Sequence, residues 1–322
     1  MKAVFIEGFG GVEVLRCGEL PRPAAGRGQV LVEVHAAAVN PRDWLVREGR
    51  YQLRFLMPGF PLILGSDLSG VVVEAGPGAG RFRPGDAVFG MQTALGRMGC
   101  HAEYVAIAES ALARKPESVS HMDAAAAPCA ALTAWDALVR IARVGAGTRV
   151  LVVGASGGVG TYAVQLAKAL GATVTGVTST GNVELVRSLG AERVIDYKTQ
   201  RFAEVAGEHD LVFDTIGRED LDTVRPVLAA DGRYVTTLPN ERTGRQAFTS
   251  RFARLLQGGR GHSAHVAMVK ADGAALARIA ELMAAGRIRS VIDSTYPLEQ
   301  AAAAHERSRS FRSRGKLVLQ VR

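Results

Sequence analysis

Cysteine is scarce in this 322-residue sequence: Cys17, Cys100 and Cys129 are the only three. Three scattered thiols make no disulfide framework. Long apolar runs are missing as well. No stretch reaches the roughly 18 uninterrupted apolar residues of a membrane span. The opening MKAVFIEGFGG lacks the apolar core and cleavage site of a signal peptide. These absences predict a cytoplasmic protein. The seven histidines (His35, His101, His121, His209, His262, His265 and His305) show neither metal-ligand nor triad spacing. None of them is assigned a catalytic role. Internal repeats and low-complexity linkers are absent too.

What is present is ordinary in amount and uneven in place. Hydrophobic residues make up 48% and charged residues 22%, enough for a buried core. At about 150 residues per domain, the length suggests two domains. The formal charge of +8 is lopsided. Residues 1–240 are nearly balanced, whereas residues 241–322 carry fifteen basic groups against six acidic ones. Such an excess bears on anionic partners rather than on fold. The tail lacks the aromatic interleaving of an RNA-binding surface, so no nucleic acid is expected and most of its charge reads as solvated.

The patterning changes twice along the chain. Residues 1–123 read as short strands (KAVFIE, QVLVEVHAAAV, SGVVVEAG) broken by glycine and proline turns. From Asp123 an Ala-rich helical stretch, DAAAAPCAALTAWDALVRIA, opens a segment of alternating strands and helices. RVLVVGA, TVTGVTS, RVIDY, DLVFDTI and GRYVTTL are its strands, and LDTVRPVLAA reads as one of its helices. Such alternation means βαβ units and a parallel sheet. From residue 268 a helix, GAALARIAELMAAGRI, and a final strand, GKLVLQV, return to the first domain. The expected fold is α/β, a Rossmann doubly wound parallel sheet in residues 124–267 beside a β-rich domain made of residues 1–123 and 268–322.

The most informative local signal is the strand Val150–Val153 followed by Gly154-Ala-Ser156-Gly157-Gly158-Val159-Gly160 and a helix. Missing Cβ atoms let a backbone approach a pyrophosphate, and the helix N-terminus faces its negative charge. Gly154, Ser156, Gly157, Gly158 and Val159 are the expected contacts. The second strand ends Thr178-Ser179-Thr180-Gly181-Asn182, without the acid that an NAD site places there. Ser179, with Tyr197 at the end of the next strand, leaves room for a 2′-phosphate, which favours NADPH over NADH. Leu238, ending GRYVTTL, is assigned to the same cofactor site. Arg314 in the basic tail is the first candidate for the phosphate's counter-charge.

The ordered motifs resemble the medium-chain dehydrogenase/reductase superfamily, and within it the zinc-free quinone oxidoreductases related to zeta-crystallin. The resemblance rests on Val39-Asn40-Pro41-Arg42-Asp43, Arg47–Tyr51, Gly65-Ser66-Asp67-Leu68-Ser69-Gly70 and Phe82–Gly90. Ala102-Glu103-Tyr104, Leu132-Thr133-Ala134-Trp135, the glycine loop with Ala163–Lys168, Leu189-Gly190-Ala191 and Gly315-Lys316 extend it along the chain. Residues 240–268 are less distinctive. The resemblance implies a GroES-like catalytic domain, a Rossmann domain, an active site in the cleft between them, and a homodimer without a membrane partner. Thr133 resembles a family residue near the nicotinamide.

Zinc-dependent members have Cys or His where Asn40 stands, and His-Glu in the Gly65-Ser66-Asp67 segment. Cys129 aligns with a third ligand position, and the four-cysteine structural lobe is absent. A zinc ion takes three protein ligands plus an open position, so no metal is expected. Without a Lewis acid, the substrate must already be electrophilic, as a quinone or an α,β-unsaturated carbonyl is. Asn40, Asp43 and Tyr51 are the catalytic candidates. Asn40 can donate to substrate oxygen, though it equally suits a turn before Pro41. Asp43 can simply fix that loop, and Tyr51 can line the cleft or pack as an ordinary half-buried aromatic. Two alternatives stand beside this reading: an enoyl-thioester reductase of the same superfamily, and a non-enzymatic, crystallin-like or RNA-binding dinucleotide protein.

Overall fold

The structure, a computed structural model, describes residues 1–52, 55, 57–92 and 98–322. The chain forms two units, Met1–Leu132 with Lys270–Arg322, and Thr133–Val269. No helix among the described residues is long and apolar enough to cross a membrane.

The first unit opens with β1 (Lys2–Ile6), β2 (Leu15–Glu19), β3 (Gln29–Val39), α1 (Pro41–Arg47) and β4 (Leu62–Ile63). It continues through β5 (Asp67–Ala75), β6 (Ala87–Met91), β7 (Tyr104–Ala108), β8 (Leu112–Arg114) and α2 (His121–Ala126) into α3 (Pro128–Trp135). The second unit contains β9 (Arg149–Val153), α4 (Gly158–Ala169), β10 (Thr173–Thr178), α5 (Val183–Ser188), β11 (Arg193–Asp196) and α6 (Phe202–Val205). It ends with β12 (His209–Asp214), α7 (Leu221–Val224), β13 (Leu228–Thr236), α8 (Glu241–Leu256) and β14 (Ser263–Val266). The closing segment of the first unit is α9 (Gly273–Ala284), β15 (Ile292–Pro297), α10 (Ala301–Arg309) and β16 (Lys316–Gln320).

In the first unit the strands run in the order β15-β16-β3-β5-β6-β8, with β7 also paired to β3, and β2-β1-β4 form a small second sheet. Val30, Val32, Val34, Leu68, Val72, Ile107, Leu112, Leu317 and Leu319 share one core, so both ends of the chain bury apolar area together. β16 pairs antiparallel with β3, with Leu317 opposite Val39. That register brings Lys316 level with Asn40, the residue that follows β3. The pairing of β3 with β5 sets Asp67 opposite Ala38.

The second unit is a six-stranded sheet in the order β11-β10-β9-β12-β13-β14, parallel throughout. This is the doubly wound order, with its reversal between β9 and β12, where ligands of such sheets bind beyond the strand C-termini. Val150, Leu151, Val152, Leu211, Val212 and Phe213 are fully buried, as strands covered on both faces require.

Three local expectations are corrected. The first unit extends to Leu132 rather than ending at residue 123. The reason is packing: Ala125 and Ala126 of α2 cluster with Ala36 and Val318 of the first unit's sheet. The Ala-rich helix is not continuous. It stops at Ala126 and restarts at Pro128, because proline has no N–H to continue the ladder. For the same reason LDTVRPVLAA is α-helical only to Val224; Arg225–Val227, with Pro226, make one 3-10 turn, and the chain enters β13 at Leu228, which pairs with His209.

Candidate functional site

In the first unit, Asn40 sits at the N-terminus of α1 and is 4% exposed. Its backbone N–H donates to Asp43 Oδ2 at 2.7 Å, so the Asp43 carboxylate caps the helix and braces the turn. This leaves the Asn40 side chain for another use. Its Nδ2 donates to Asp67 Oδ2 at 3.0 Å, and its Oδ1 accepts from Lys316 Nζ. Lys316 is itself 4% exposed and lies 3.6 Å from Asp67 Oδ2. Asp67 Oδ1 accepts the Cys129 backbone N–H at 3.0 Å. The result is a buried chain of ammonium, amide and carboxylate, each partner in contact with the next.

The electrostatics follow from burial. Burial pushes the Asp67 carboxyl up to about 6 against the pull of Lys316 and Asn40. Asp43, fully buried, is likewise pushed up to about 6, against the Asn40 N–H and nearby cations. Burial also drives the Cys129 thiol up to about 12. Tyr51 lies partly buried against Ile6, Val46 and Leu62, with the Arg42 guanidinium 5.2 Å from its ring centroid. Arg42 Nη1 donates to Ser66 Oγ at 3.2 Å. Arg314, also in the first unit, is exposed, and its backbone N–H donates to Asp293 Oδ1.

In the second unit the loop after β9 is shaped by its glycines. Gly154 has φ +79°, a conformation that suits glycine. A Cβ on Gly160 would lie 2.1 Å from the Gly154 carbonyl oxygen, so helix α4 approaches the loop only because that atom is missing. Gly157 caps α4, and Gly158 and Val159 form its first turn. Beside the loop, Ser156 Oγ accepts from Thr178 Oγ1 at 2.7 Å and from Asn182 Nδ2 at 3.1 Å. Asn182 Nδ2 also reaches Ser179 Oγ at 3.2 Å, while its buried Oδ1 has no hydrogen-bond partner among the described residues. An orphaned buried acceptor beside a backbone cradle at a helix N-terminus fits a nucleotide's hydroxyl and phosphate groups.

The other residues assigned to this site fall at C-terminal ends of the same sheet. Ser179 follows β10, Tyr197 follows β11 and Leu238 lies just beyond β13. Thr133 opens the second unit on α3 and is buried. No acid ends β10. Asp196, which ends β11, accepts from Thr180 Oγ1 at 2.6 Å and from the Lys198 backbone N–H, and these bonds hold it below the usual carboxylate range. Lys198 Nζ stands 5.4 Å from the Tyr197 ring centroid, an exposed cation at the strand ends that no sequence motif singles out. Asn182 and Lys316 escape sequence reasoning as well. Gly315-Lys316 is visible as a motif, but nothing local in the sequence separates a buried lysine from its exposed arginine neighbours.

A doubly wound parallel sheet with this loop, joined to a β-rich unit closed by both chain ends, defines a two-domain dinucleotide-binding dehydrogenase or reductase. Residues 26–117 match the family model of the alcohol dehydrogenase GroES-like domain, and residues 189–319 that of a zinc-binding dehydrogenase. The chain is 36% identical to the human NAD(P)H oxidoreductase RTN4IP1, mitochondrial, across 100% of this chain and 89% of that protein. It is 33% identical to the quinone-oxidoreductase QR1, chloroplastic, of Triphysaria versicolor, across 99% of this chain and 98% of that one. The solved quinone oxidoreductase of Coxiella burnetii superimposes with a TM-score of 0.89 at 32% identity, covering 100% and 99% of the two chains. The chain belongs to the medium-chain dehydrogenase/reductase superfamily, in its quinone-oxidoreductase-like family.

Because one matching model describes zinc-binding dehydrogenases, the polar cluster of the first unit has to be set against what zinc requires. Its members are a neutral amide, a lysine ammonium, a carboxylate beside that ammonium, and a single cysteine, Cys129, whose backbone N–H binds that carboxylate. Zinc takes thiolate, imidazole or carboxylate ligands in tetrahedral array. This donor set does not fit one, and among the described residues no group of three or more His, Cys, Asp and Glu could hold a metal ion.

Proposed function

We propose that the protein is an NADPH-dependent reductase that transfers hydride to a quinone or an α,β-unsaturated carbonyl without a metal. The observation that carries this reading is the cluster of Asn40, Asp67 and Lys316: it offers a fixed cation and an oriented amide where a metal-dependent site would need ligands. The names of the relatives, NAD(P)H oxidoreductase and quinone oxidoreductase, support it.

A bound NADPH supplies the hydride. The chain's residues bind and orient. The loop Gly154–Gly160 offers backbone N–H groups to the pyrophosphate at the N-terminus of α4. On this reading Ser179, Asn182 and Tyr197, near the C-terminal ends of β10 and β11, hold the adenosine ribose and its 2′-phosphate, and Lys198 supplies a positive charge. In the first unit, the Asn40 amide is held to donate a hydrogen bond to the oxygen that becomes an enolate or quinol. Such a preorganised donor stabilises developing charge without reorganising. Asp43 fixes the turn that carries Asn40, and Tyr51 flanks that turn. A homodimer through the second unit belongs to the same reading: β14 is one of the sheet's two outer strands, and Phe248, Phe252, Leu255 and Leu256 of α8 are exposed.

The experiment is NADPH oxidation with 1,4-benzoquinone, an alkyl enone and a crotonyl thioester in turn. Turnover with the quinone or the enone supports the reading. Turnover with the thioester alone replaces it with the enoyl-thioester reductase.

A further inference from the structure

We propose that Lys316 is a positioning residue of the reductase site, acting through Asn40: its buried ammonium fixes which end of the Asn40 amide can donate. The proposal rests on the function proposed above and adds a residue to it.

The argument begins with cost. An ammonium taken out of water is expensive unless paired. Lys316 is nearly solvent-free, yet its partners among the described residues are one neutral amide oxygen and one carboxylate 3.6 Å away, beyond hydrogen-bond reach. Pairing with Asp67 alone would be served by a direct contact. The observed arrangement instead keeps the two charges 3.6 Å apart and bridges them through the Asn40 amide.

That insertion has a chemical consequence. The two ends of an asparagine amide have nearly the same shape and differ only in donating or accepting. Lys316 has donors and no acceptor, so it claims Oδ1. An ionised Asp67 has acceptors and no donor, so it claims Nδ2. The amide is locked with its second Nδ2–H unassigned among the described residues, a donor of fixed orientation. Its backbone is fixed independently by Asp43. Lys316 reaches this place because β16 pairs with β3 in the register that sets Leu317 opposite Val39. Removing the ammonium takes away the donor that claims Oδ1, and leaves Asp67 without the Lys316 charge.

A double-mutant cycle on the full chain tests this, with NADPH and 1,4-benzoquinone as substrates. Lys316→Met keeps an unbranched side chain without charge, and Asn40→Ala removes the amide. Each single variant is expected to lower kcat by roughly 10- to 100-fold, with NADPH affinity, read by fluorescence titration, unchanged. The double variant should be no slower than Asn40→Ala alone, because the lysine acts through the amide. Lys316→Arg, which retains charge and donors, should keep more activity than Lys316→Met, and it carries the test if the methionine variant does not fold. Multiplying losses in the double variant, or a Lys316→Met enzyme as fast as the wild type, would overturn the proposal while leaving the reductase reading intact. A wild-type protein that oxidises NADPH with no acceptor rejects the reading and the proposal together.

Discussion

Lys316 and Asn40, 276 positions apart in sequence, are joined by a hydrogen bond from the lysine Nζ to the amide Oδ1. The contact exists because the last strand of the chain lies beside β3 in the first unit's sheet. The C-terminal strand therefore has two duties, completing a core and delivering a charge, and they are separable by mutation.

The core duty is tested at Leu319, which is fully buried in the first unit's cluster. Leu319→Ala is expected to lower the unfolding free energy by about 2–5 kcal/mol, the usual cost of such a cavity. Urea unfolding followed by circular dichroism measures it. NADPH affinity of the folded fraction should not change, since the cofactor loop belongs to the other unit.

Two glycines of the loop should behave differently. At Gly160 an added Cβ meets the Gly154 carbonyl at 2.1 Å, so Gly160→Ala must displace the loop and lower both thermal stability and NADPH affinity. At Gly157 the same atom meets only the Gly154 oxygen at 3.4 Å, an ordinary contact. Gly157→Ala should leave the melting temperature nearly unchanged and weaken NADPH by about tenfold, or about 1.4 kcal/mol. Calorimetry and fluorescence titration separate the two effects.

Cofactor choice is tested at the end of β10. Wild-type protein should bind NADPH more tightly than NADH. Ser179→Asp places a carboxylate where an NAD site has one and repels a 2′-phosphate, so it should reverse the order. Equal affinity of the wild type for both cofactors would contradict the assignment of Ser179.

The pH dependence of stability has a definite sign. Burial holds His101, His121 and His265 at about 4, against an ordinary 6.5, and His305 well below its ordinary value. Each stays neutral in the folded chain while the unfolded chain takes up a proton below about 6.5. Their contribution is thus full above 6.5 and lost as pH falls toward 4. Asp43 and Asp67, pushed up to about 6, act in the opposite direction between their ordinary 3.8 and 6. Histidines outnumber these two carboxyls. The Arg149 hydrogen bond that holds Asp210 below its ordinary 3.8 adds a further loss only below about pH 4. The urea midpoint should therefore fall on acidification from neutral pH to pH 4. His101→Gln should remove up to about 3 kcal/mol of that dependence, because each tenfold change in a proton-binding constant is worth about 1.4 kcal/mol.

How far the sequence was legible depended on how local each signal was. The glycine loop was readable because strand, glycines and helix are contiguous, and the doubly wound sheet because its strands alternate with helices. The return of the tail to the first domain was readable from where that alternation stops. The break at Pro128 and the strand at Leu228 were readable in principle from proline chemistry, but Ala- and Leu-rich runs masked them. Lys316 was not readable. It lies among Arg307, Arg309, Arg312 and Arg314, which are exposed or paired on the surface, and only the pairing of β16 with β3 decides that it alone turns inward. Asp43 suits either a catalytic group or a brace for its loop, and its bond to the Asn40 N–H gives it the brace.

The central claim is hydride transfer to an electrophilic acceptor without a metal. Its most direct test is the rate of NADPH oxidation by 1,4-benzoquinone in untagged protein, measured beside zinc content by mass spectrometry, before and after dialysis against a chelator. The account predicts far less than one zinc per chain and the same rate before and after. One zinc per chain, with turnover abolished by its removal and restored by its return, would contradict it.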